Sequence, residues 1–320
     1  MDFLTLLRDD IREGLARTDP EYRRKHTLWL IAQQRPEGGF ANRRGRADLY
    51  YTTFALRSLS ALSALTPEIA ELAAGFLLRL ARQPDSIRTR QPNGAFCDAV
   101  CAASWWDSLR LCEEVLGPRL IGDENTGAME ATAVRLAALR RGDGGWGKTD
   151  IDACGSLYHS FLAACAFARM DRPLPEAEKV HLFVKSMDQP AGGFLENCYS
   201  KRPGTNGSAG GVSLSLLLGI LNDMEKHAAF IAGMISGEGG FYATPAAPIA
   251  DLLSTYAALF TLRILGQEDA RLTRAAAGYA RSLEQSSGGY TGFALESVVD
   301  CEYTFYGLGV ESIAPDLAHS

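Results

Sequence analysis

The sequence has no long apolar run and no excess of positive charge. Its longest apolar candidate, residues 212–221, is too short to span a bilayer and is typical of a buried helix. The 32 Lys and Arg residues are outnumbered by 38 Asp and Glu, and the net charge of −6 argues against nucleic acid as a partner. The N-terminus, MDFLTLLRDDIREGLAR, is a charged amphipathic segment without an apolar h-region or cleavage site, so no secretory signal is expected.

Paired cysteines are lacking as well. The seven cysteines are scattered through segments of helical pattern, and an odd number without a secretory signal indicates reduced thiols in a cytoplasmic protein. Cys97 and Cys101 have no second pair at the spacing of a zinc ribbon. With 47% apolar and 22% charged residues, the chain has the composition of an ordinary globular protein with material for a large core.

Strand-like alternation is the last absence, because β-branched runs of period two do not occur and no sheet is predicted. What the sequence has instead is a repeated turn, in which glycines or other small residues precede an aromatic residue. The turn ends at six aromatic residues, which are Phe40, Phe96, Trp146, Phe194, Phe241 and Tyr290. The residues before these aromatics are 56, 50, 48, 47 and 49 positions apart, and such a period predicts an array of repeats.

Each repeat joins an amphipathic helix to the turn, then to a polar loop and a strongly apolar helix, as in EATAVRLAALRR and DLLSTYAALFTLRIL. Six such repeats predict an all-α fold, an (α/α)6 toroid of six helical hairpins. The apolar helices are expected inside, where both faces are covered, and every glycine turn is expected on one rim. We assign residues 1–20 to an N-terminal helix and residues 21–320 to a single barrel domain.

The Gln-x-x-x-Gly-Gly-aromatic turns resemble those of the prenyltransferase and squalene-cyclase superfamily. The single toroid and the chain length resemble the β subunit of protein prenyltransferases, while GGWGKTDID at 144–152 resembles the class II terpene cyclase repeat. The resemblance implies that the ligand is an isoprenoid or another hydrophobic small molecule. The absence of Cys-Gly-Glu-Gln excludes the thioester-bearing toroids.

The prenyltransferase branch implies a zinc ion held by an Asp, a Cys two residues later and a His on the last inner helix. Here Asp251 occupies the place of the Asp, but Leu253 and Tyr303 occupy those of the Cys and the His. A leucine cannot bind zinc, so no metal and no other cofactor is expected. The family's Pro-Gly-x-x-x-His turn ends here in Ser208, which weakens the expected diphosphate site.

The cyclase branch implies that the middle Asp of Asp-x-Asp-Asp donates a proton to an alkene or epoxide. Asp150 and Asp152 match the first two acids, and Ala153 replaces the last. We expect Asp152 on the inner helix, with Ser156 and His159 at i+4 and i+7 on the same face, where His159 would orient or relay a proton. The alternative is structural, because acids in a first helical turn cap free amides and a histidine in an apolar helix is often a core residue.

Three predicted inner helices begin with acids, so Asp251, Asp300 and Glu302 are expected to meet Asp152 at one rim of the cavity. The predicted catalytic set is Asp152, His159 and Asp251. Inner-helix aromatics are expected to line the cavity as substrate-binding residues, or else to pack the core: Tyr50, Tyr51, Trp105, Trp106, Tyr158, Tyr256 and Tyr303. Two cations after a glycine turn, Lys201 and Arg202, are expected to bind the substrate's diphosphate or to cover a solvated loop.

These features predict an isoprenoid-handling enzyme, a terpenoid cyclase or isomerase that begins with proton donation from Asp152. Two alternatives stay open. One is a zinc-independent, prenyltransferase-like protein that binds an isoprenoid without catalysis. The other is a glycoside hydrolase of toroid shape, which needs two carboxylates such as Asp152 with Asp251 or Glu302. A homodimer or a partner subunit is expected to close the cavity, and peripheral contact with a membrane is a further expectation.

Overall fold

The computed structural model describes residues 3–82, 96, 98–117 and 126–314, and within these residues it contains thirteen α-helices and one two-stranded sheet. The helices are α1 (Phe3–Ala16), α2 (Pro20–Ala32), α3 (Leu49–Ala61), α4 (Pro67–Arg82), α5 (Ala99–Leu116), α6 (Thr126–Ala138), α7 (Leu157–Arg169), α8 (Ala177–Met187), α9 (Thr205–Leu217), α10 (Met224–Ala232), α11 (Leu252–Ile264), α12 (Ala270–Leu283) and α13 (Cys301–Ile313). The strands are β1 (Phe40–Ala41) and β2 (Ala47–Asp48), which pair antiparallel. No helix in these described ranges is long and apolar enough to cross a membrane.

The helices form two concentric rings. Helices α3, α5, α7, α9, α11 and α13 each contact the next, and α13 contacts α3, so the inner ring closes on itself. Their residues are largely buried on both faces, whereas outer helices such as α12 alternate buried and exposed residues. The all-α toroid of helical hairpins predicted from the repeats is therefore confirmed.

The glycine turns are tied to the inner helices by a repeated hydrogen bond. The backbone N–H of Phe241 donates to Thr255 Oγ1 over 2.9 Å, and that hydroxyl donates to the Asp251 carbonyl over 2.7 Å. The same amide-to-hydroxyl bond recurs in four other repeats, from Phe40 to Thr52, Trp146 to Ser160, Phe194 to Ser208 and Tyr290 to Thr304. Each of these turns therefore lies at the N-terminal end of an inner helix, on one rim.

The glycines let each turn approach the next outer helix. Gly239 has a φ of 93°, and a Cβ there would lie 2.6 Å from the carbonyl oxygen of Ala275 on α12. Gly288 has a φ of 94°, and its Cβ would lie 2.9 Å from the carbonyl oxygen of Lys25 on α2. The last turn thus packs on the first outer helix, which closes the outer ring as well.

Helix α1 lies across the end of the ring opposite the turns. Its Gly14 packs so closely on the last turn of α13 that a Cβ would lie 2.0 Å from the Ser312 carbonyl oxygen. Arg12 donates to the carbonyl oxygen of Ser60 in the last turn of α3 over 3.3 Å. Because inner helices run from the turn rim to this end, α1 closes the ring on the far side.

Candidate functional site

A cavity of about 170 Å³ lies on the axis of the inner ring. It extends from the first turns of α7, α9 and α11 to the N-terminal part of α1. Much of its wall is aromatic and comes from four inner helices: Phe54, Tyr158, Phe161, Tyr256, Phe305 and Tyr306. Tyr158 also reaches solvent, with 41% of its surface exposed, so the cavity communicates with the rim that carries the turns.

The floor of the cavity comes from α1. The Phe3 ring makes edge-to-face contacts with Phe161 and Phe260, with ring centroids 5.2 and 6.0 Å apart. Leu4 and Leu7 line the same end of the cavity. At about 170 Å³ the cavity is below the roughly 300–1,000 Å³ of typical ligand pockets, so α1 limits how much of a ligand fits inside.

Of the predicted aromatic residues, Tyr158 and Tyr256 line the cavity, whereas Tyr50 packs on the lining residue Phe54 without lining the cavity itself. The Tyr50 ring packs on Phe54 with centroids 4.9 Å apart, and its hydroxyl is directed to the rim. Tyr51 and Tyr303 are half-buried beside Arg43, whose guanidinium lies 5.5 Å from the centre of the Tyr303 ring. Burial, with the charge of Asp300, raises the pKa of Tyr51 to about 12.

The expectation that Trp105 and Trp106 line the cavity is corrected by the structure. The Trp105 ring is fully buried between helices, and its Nε1–H donates to the Leu77 carbonyl of outer helix α4 over 3.0 Å. Trp106 lies beside Met129 of α6, at a separate surface depression. Both rings point away from the ring axis because their positions on α5 face the outer helices.

The two predicted loop cations, Lys201 and Arg202, are exposed in the loop before α9 and do not belong to the cavity lining. Arg43 is a cation at the rim, and it pairs with Asp300 at 2.8 Å and with Glu296 at 3.2 Å. Because these two carboxylates already engage Arg43, its guanidinium is less available to a diphosphate.

Asp152 is not on the inner helix, contrary to the expectation from its spacing. Helix α7 begins at Leu157 with Ser156 as N-cap, so Asp152 lies in the preceding loop, where its carboxylate accepts the Thr149 N–H over 2.7 Å. The physical reason is the repeat itself, since the turn aromatic pairs with the N-cap of the following helix, and Trp146 pairs with Ser156. The shared helix face for Asp152, Ser156 and His159 is therefore wrong.

Two of these residues nevertheless interact. Ser156 Oγ lies 2.7 Å from His159 Nδ1, so the predicted serine–histidine pair forms within the first turn of α7. Burial lowers the pKa of His159, and the negative charge of Asp152 opposes this shift. The imidazole is therefore mainly neutral at pH 7, and the Asp152 carboxylate is close enough to affect its pKa.

Asp251 and Asp300 are the N-caps of α11 and α13, as the structural alternative expected. Asp251 accepts the Ser254 N–H over 2.7 Å and the Ser254 hydroxyl over 2.8 Å, and burial raises its pKa. Burial likewise raises the pKa of Asp300. Asp150 is different from both, because it is exposed and pairs with Arg135 at 3.0 Å instead of capping a helix.

These contacts do not fit a zinc ion. Both oxygens of Asp251 accept hydrogen bonds from Ser254, and Leu253 presents an apolar side chain to the cavity. Among the residues that the structure describes, no three His, Cys, Asp or Glu side chains are grouped so that they could hold a metal ion.

Glu302 is a rim acid that is connected to the aromatic wall through Tyr50, whose ring packs on Phe54. Its Oε1 accepts the Tyr50 hydroxyl over 2.7 Å. Burial raises the pKa of Glu302, the charges of Asp300 and Asp251 raise it further, and the Tyr50 bond and Arg43 oppose the shift. The negative charge of Glu302 also helps to raise the pKa values of Tyr158 and Tyr306, which line the cavity. From the sequence Glu302 was expected among the rim acids, and the one role given to it was that of a second carboxylate in a glycosidase.

Glu196 is a rim acid that the sequence analysis missed. Its carbonyl accepts the Leu157 N–H over 2.9 Å and its carboxylate accepts the Tyr158 N–H over 3.1 Å, so it caps α7 from the next repeat. Burial raises its pKa. The feature of the sequence that could have identified Glu196 is its position two residues after a turn aromatic. Ala243 and Gly292 have the same position in their repeats, and their carbonyls accept the same backbone bond from α9 and α11.

The site therefore combines a rim of carboxylic acids with an apolar, aromatic interior. Acids with raised pKa values hold their protons to higher pH and can donate them. The π-faces below them can stabilise a cation that forms inside the cavity. This arrangement suits the protonation of a hydrocarbon double bond.

Comparisons with known proteins agree on the fold. The model of the prenyltransferase alpha-alpha toroid domain matches residues 5–104 and 211–319, which together exceed half of the chain. No curated protein matches the sequence significantly.

Three solved structures illustrate the similarity. Protein geranylgeranyltransferase-I of Candida albicans, complexed with GGPP, is 12% identical with a TM-score of 0.65 and covers 91% of each chain. A variant of the type II terpene cyclase MstE from Scytonema, in complex with geranylgeranyl dihydroxybenzoate, is 13% identical with a TM-score of 0.58 and covers 98% of this chain and 97% of its own. A glycosidase in complex with glucose is 12% identical with a TM-score of 0.57 and covers 93% and 96%. At these identities the similarity shows a shared fold alone.

Proposed function

Since the chain belongs to the prenyltransferase alpha-alpha toroid domain family, we propose that it binds an isoprenoid in the central cavity and cyclises or isomerises it after protonation by a rim acid. The observation that carries this proposal is the hydrogen bond of Glu302 to Tyr50, whose ring packs on Phe54 of the cavity wall. Two solved relatives of this fold are described with geranylgeranyl ligands, which supports the class of ligand.

Glu302 is our first candidate for the proton donor. Burial raises its pKa, so a larger fraction of the carboxyl group is protonated near neutral pH than in an exposed glutamate. Tyr50 fixes one oxygen and leaves the other available to donate to a double bond. Asp152 remains the second candidate, since it lies within electrostatic reach of His159 at the same rim.

The reaction we propose needs no diphosphate. Transfer of the acid's proton to one carbon of a terminal double bond leaves a carbocation on the neighbouring carbon. Attack by an internal double bond closes a ring, and loss of a proton to a rim carboxylate or water ends the sequence with no net change in atoms. The aromatic rings stabilise the cation during these steps, and no diphosphate has to leave because protonation of the double bond itself generates the cation.

The test is incubation with neutral polyprenes of two to four isoprene units in D2O, followed by mass spectrometry. A product that carries one deuterium at the protonated carbon is expected. Glu302→Gln should lower the rate by roughly 10²–10⁴-fold, and Asp150→Asn, whose carboxylate is exposed and paired with Arg135, serves as the matched control.

Asp152→Asn separates the two candidates for the donor. If Asp152→Asn lowers the turnover rate by roughly 10²–10⁴-fold and Glu302→Gln does not, then Asp152 is the donor. An isoprenoid that binds without turnover would identify a non-catalytic binding protein instead. Hydrolysis of oligosaccharides without binding of any isoprenoid would overturn the proposal in favour of the glycosidase alternative.

A further inference from the structure

A cation lies inside the ring, at the closed end of the cavity. Arg57 of α3 lines the cavity, its side chain is 18% exposed, and its guanidinium lies 5.5 Å from the centre of the Phe54 ring and 6.0 Å from that of Phe305. Tyr50, which bonds the rim acid Glu302, is seven residues earlier on the same helix, so Arg57 lies about 10 Å further along α3 at 1.5 Å of rise per residue. The site is therefore separate from the rim.

Asp107 holds the Arg57 side chain in position by a hydrogen bond. Arg57 Nε donates to Asp107 Oδ2 over 2.6 Å, and Arg169 Nη2 lies 2.9 Å from the other oxygen of Asp107. Asp107 and Arg169 are almost fully buried, with 1% and 5% of their side chains exposed. Burial would raise the pKa of Asp107, but the two guanidinium groups lower it, so this carboxylate is ionised.

Asp107 is shared between the two guanidinium groups, and Arg169 has further partners, among them Thr5 at 3.2 Å. Glu114 approaches Arg169 at 3.4 Å but is partly exposed on the solvent side. A guanidinium group in such surroundings is costly unless hydrogen-bond acceptors satisfy all of its donors. Within the described part of the chain, the two terminal nitrogens of Arg57 make no hydrogen bond, and the cavity lies in front of that side chain.

We propose that Arg57 binds the carboxylate of an isoprenoid acid, which enters the cavity with its polar end first and leaves its terminal double bond at the rim. A carboxylate carries the charge opposite to that of Arg57, and its planar shape matches the parallel donors of a guanidinium. The apolar wall then holds the chain between Arg57 and Glu302. This inference rests on the proposed function for the isoprenoid nature of the chain, and it adds the chemical class of the head group.

The limited volume of the cavity also selects the ligand. With about 170 Å³ above the floor formed by Phe3, the cavity suits a short chain better than one of four isoprene units. Geranic acid, with two isoprene units, is therefore the probe of choice, and 2,6-dimethyl-2,6-octadiene is the matched hydrocarbon that lacks the carboxylate.

The test compares these two compounds by isothermal titration calorimetry on the full chain at neutral pH. Geranic acid should bind at least tenfold more tightly than the hydrocarbon. Arg57→Met should remove this difference while it leaves the affinity for the hydrocarbon within about twofold. The double variant Lys201→Gln/Arg202→Gln, which removes the loop cations, should retain the preference. Its loss in that variant would place the carboxylate at the loop and overturn the proposal.

Arg57→Lys keeps the result decisive if Arg57→Met does not fold, since a lysine preserves a charge beside Asp107 but lacks the planar pair of donors. It should reduce the preference severalfold, and an unchanged preference would refute a role for Arg57. Equal affinity of the wild type for both compounds would overturn this inference and leave the proposed function standing. Binding of neither compound nor any longer isoprenoid would overturn both.

Discussion

The hydroxyl that joins each turn to its inner helix gives a direct measure of what stabilises the rim. Thr255 is fully buried, accepts the Phe241 N–H over 2.9 Å and donates to the Asp251 carbonyl over 2.7 Å. Thr255→Val keeps the shape of the side chain but leaves the Phe241 amide without an acceptor. A buried donor left unsatisfied costs about 1–3 kcal/mol, so we expect a loss of that size in the free energy of unfolding.

The same helix offers a matched control. Thr261 is also buried, and its hydroxyl only donates to the Ala257 carbonyl over 2.6 Å, with no amide depending on it. Thr261→Val removes a hydroxyl from the same helix without orphaning a donor, so its cost should stay below about 1 kcal/mol. The difference between the two variants isolates the contribution of the orphaned amide.

Urea denaturation monitored by circular dichroism measures both costs. A loss of about 2 kcal/mol should lower the midpoint of Thr255→Val by roughly 0.5–1 M, with the slope unchanged. Hydrogen exchange at the Phe241 amide should quicken in this variant alone. Equal destabilisation by the two variants, or unchanged exchange at Phe241, would refute the idea that the hydroxyl holds the turn.

Two further predictions concern the cavity. Because burial raises the pKa of Glu302 above its usual 4.5, the folded protein binds this proton more tightly than the unfolded chain, and the resulting stability is lost as pH rises through the folded pKa. In urea titrations, Glu302→Gln should therefore be more stable than wild type at pH 8 but not at pH 4. A variant that is less stable than wild type at pH 8 would contradict this. Phe3→Ala should lower the free energy of unfolding by about 3–5 kcal/mol, as truncation of a buried ring does. In competition assays it should also shift binding towards isoprenoids that are one unit longer. An unchanged chain-length preference would show that α1 is not the floor of the cavity.

The candidate site was only partly predictable, and its errors have physical causes. Tyr158 and Tyr256 were expected in the cavity and lie there, because the inner position of their helices follows from the apolar pattern. Trp105 and Trp106 belong to an equally apolar helix, yet both rings face the outer ring. A helix buried on both faces has no hydrophobic stripe that would indicate which side faces the axis.

The position of Asp152 shows a second kind of error. Matching it to a known motif placed it on a helix, whereas the repeat places the N-cap of that helix ten residues after the turn aromatic, at Ser156. Asp251 and Asp300 have the same spacing to Phe241 and Tyr290, and both are N-caps. The internal repeat was thus a better guide to the helix boundary than the resemblance, because the hydrogen bonds of the turn fix that spacing.

The sequence by itself determined the ring. Its turns require glycine at a positive φ, an aromatic ring that is buried, and a Ser or Thr hydroxyl in the following helix, and all of these are local demands that recur along the chain. Only the tertiary structure decided which polar groups meet around the cavity. Glu196 reaches α7 from the following repeat, and Arg57 finds Asp107 fifty residues away. Such pairs form because the ring brings neighbouring inner helices side by side. The local sequence pattern of either helix does not indicate which residue on the other helix will be its partner.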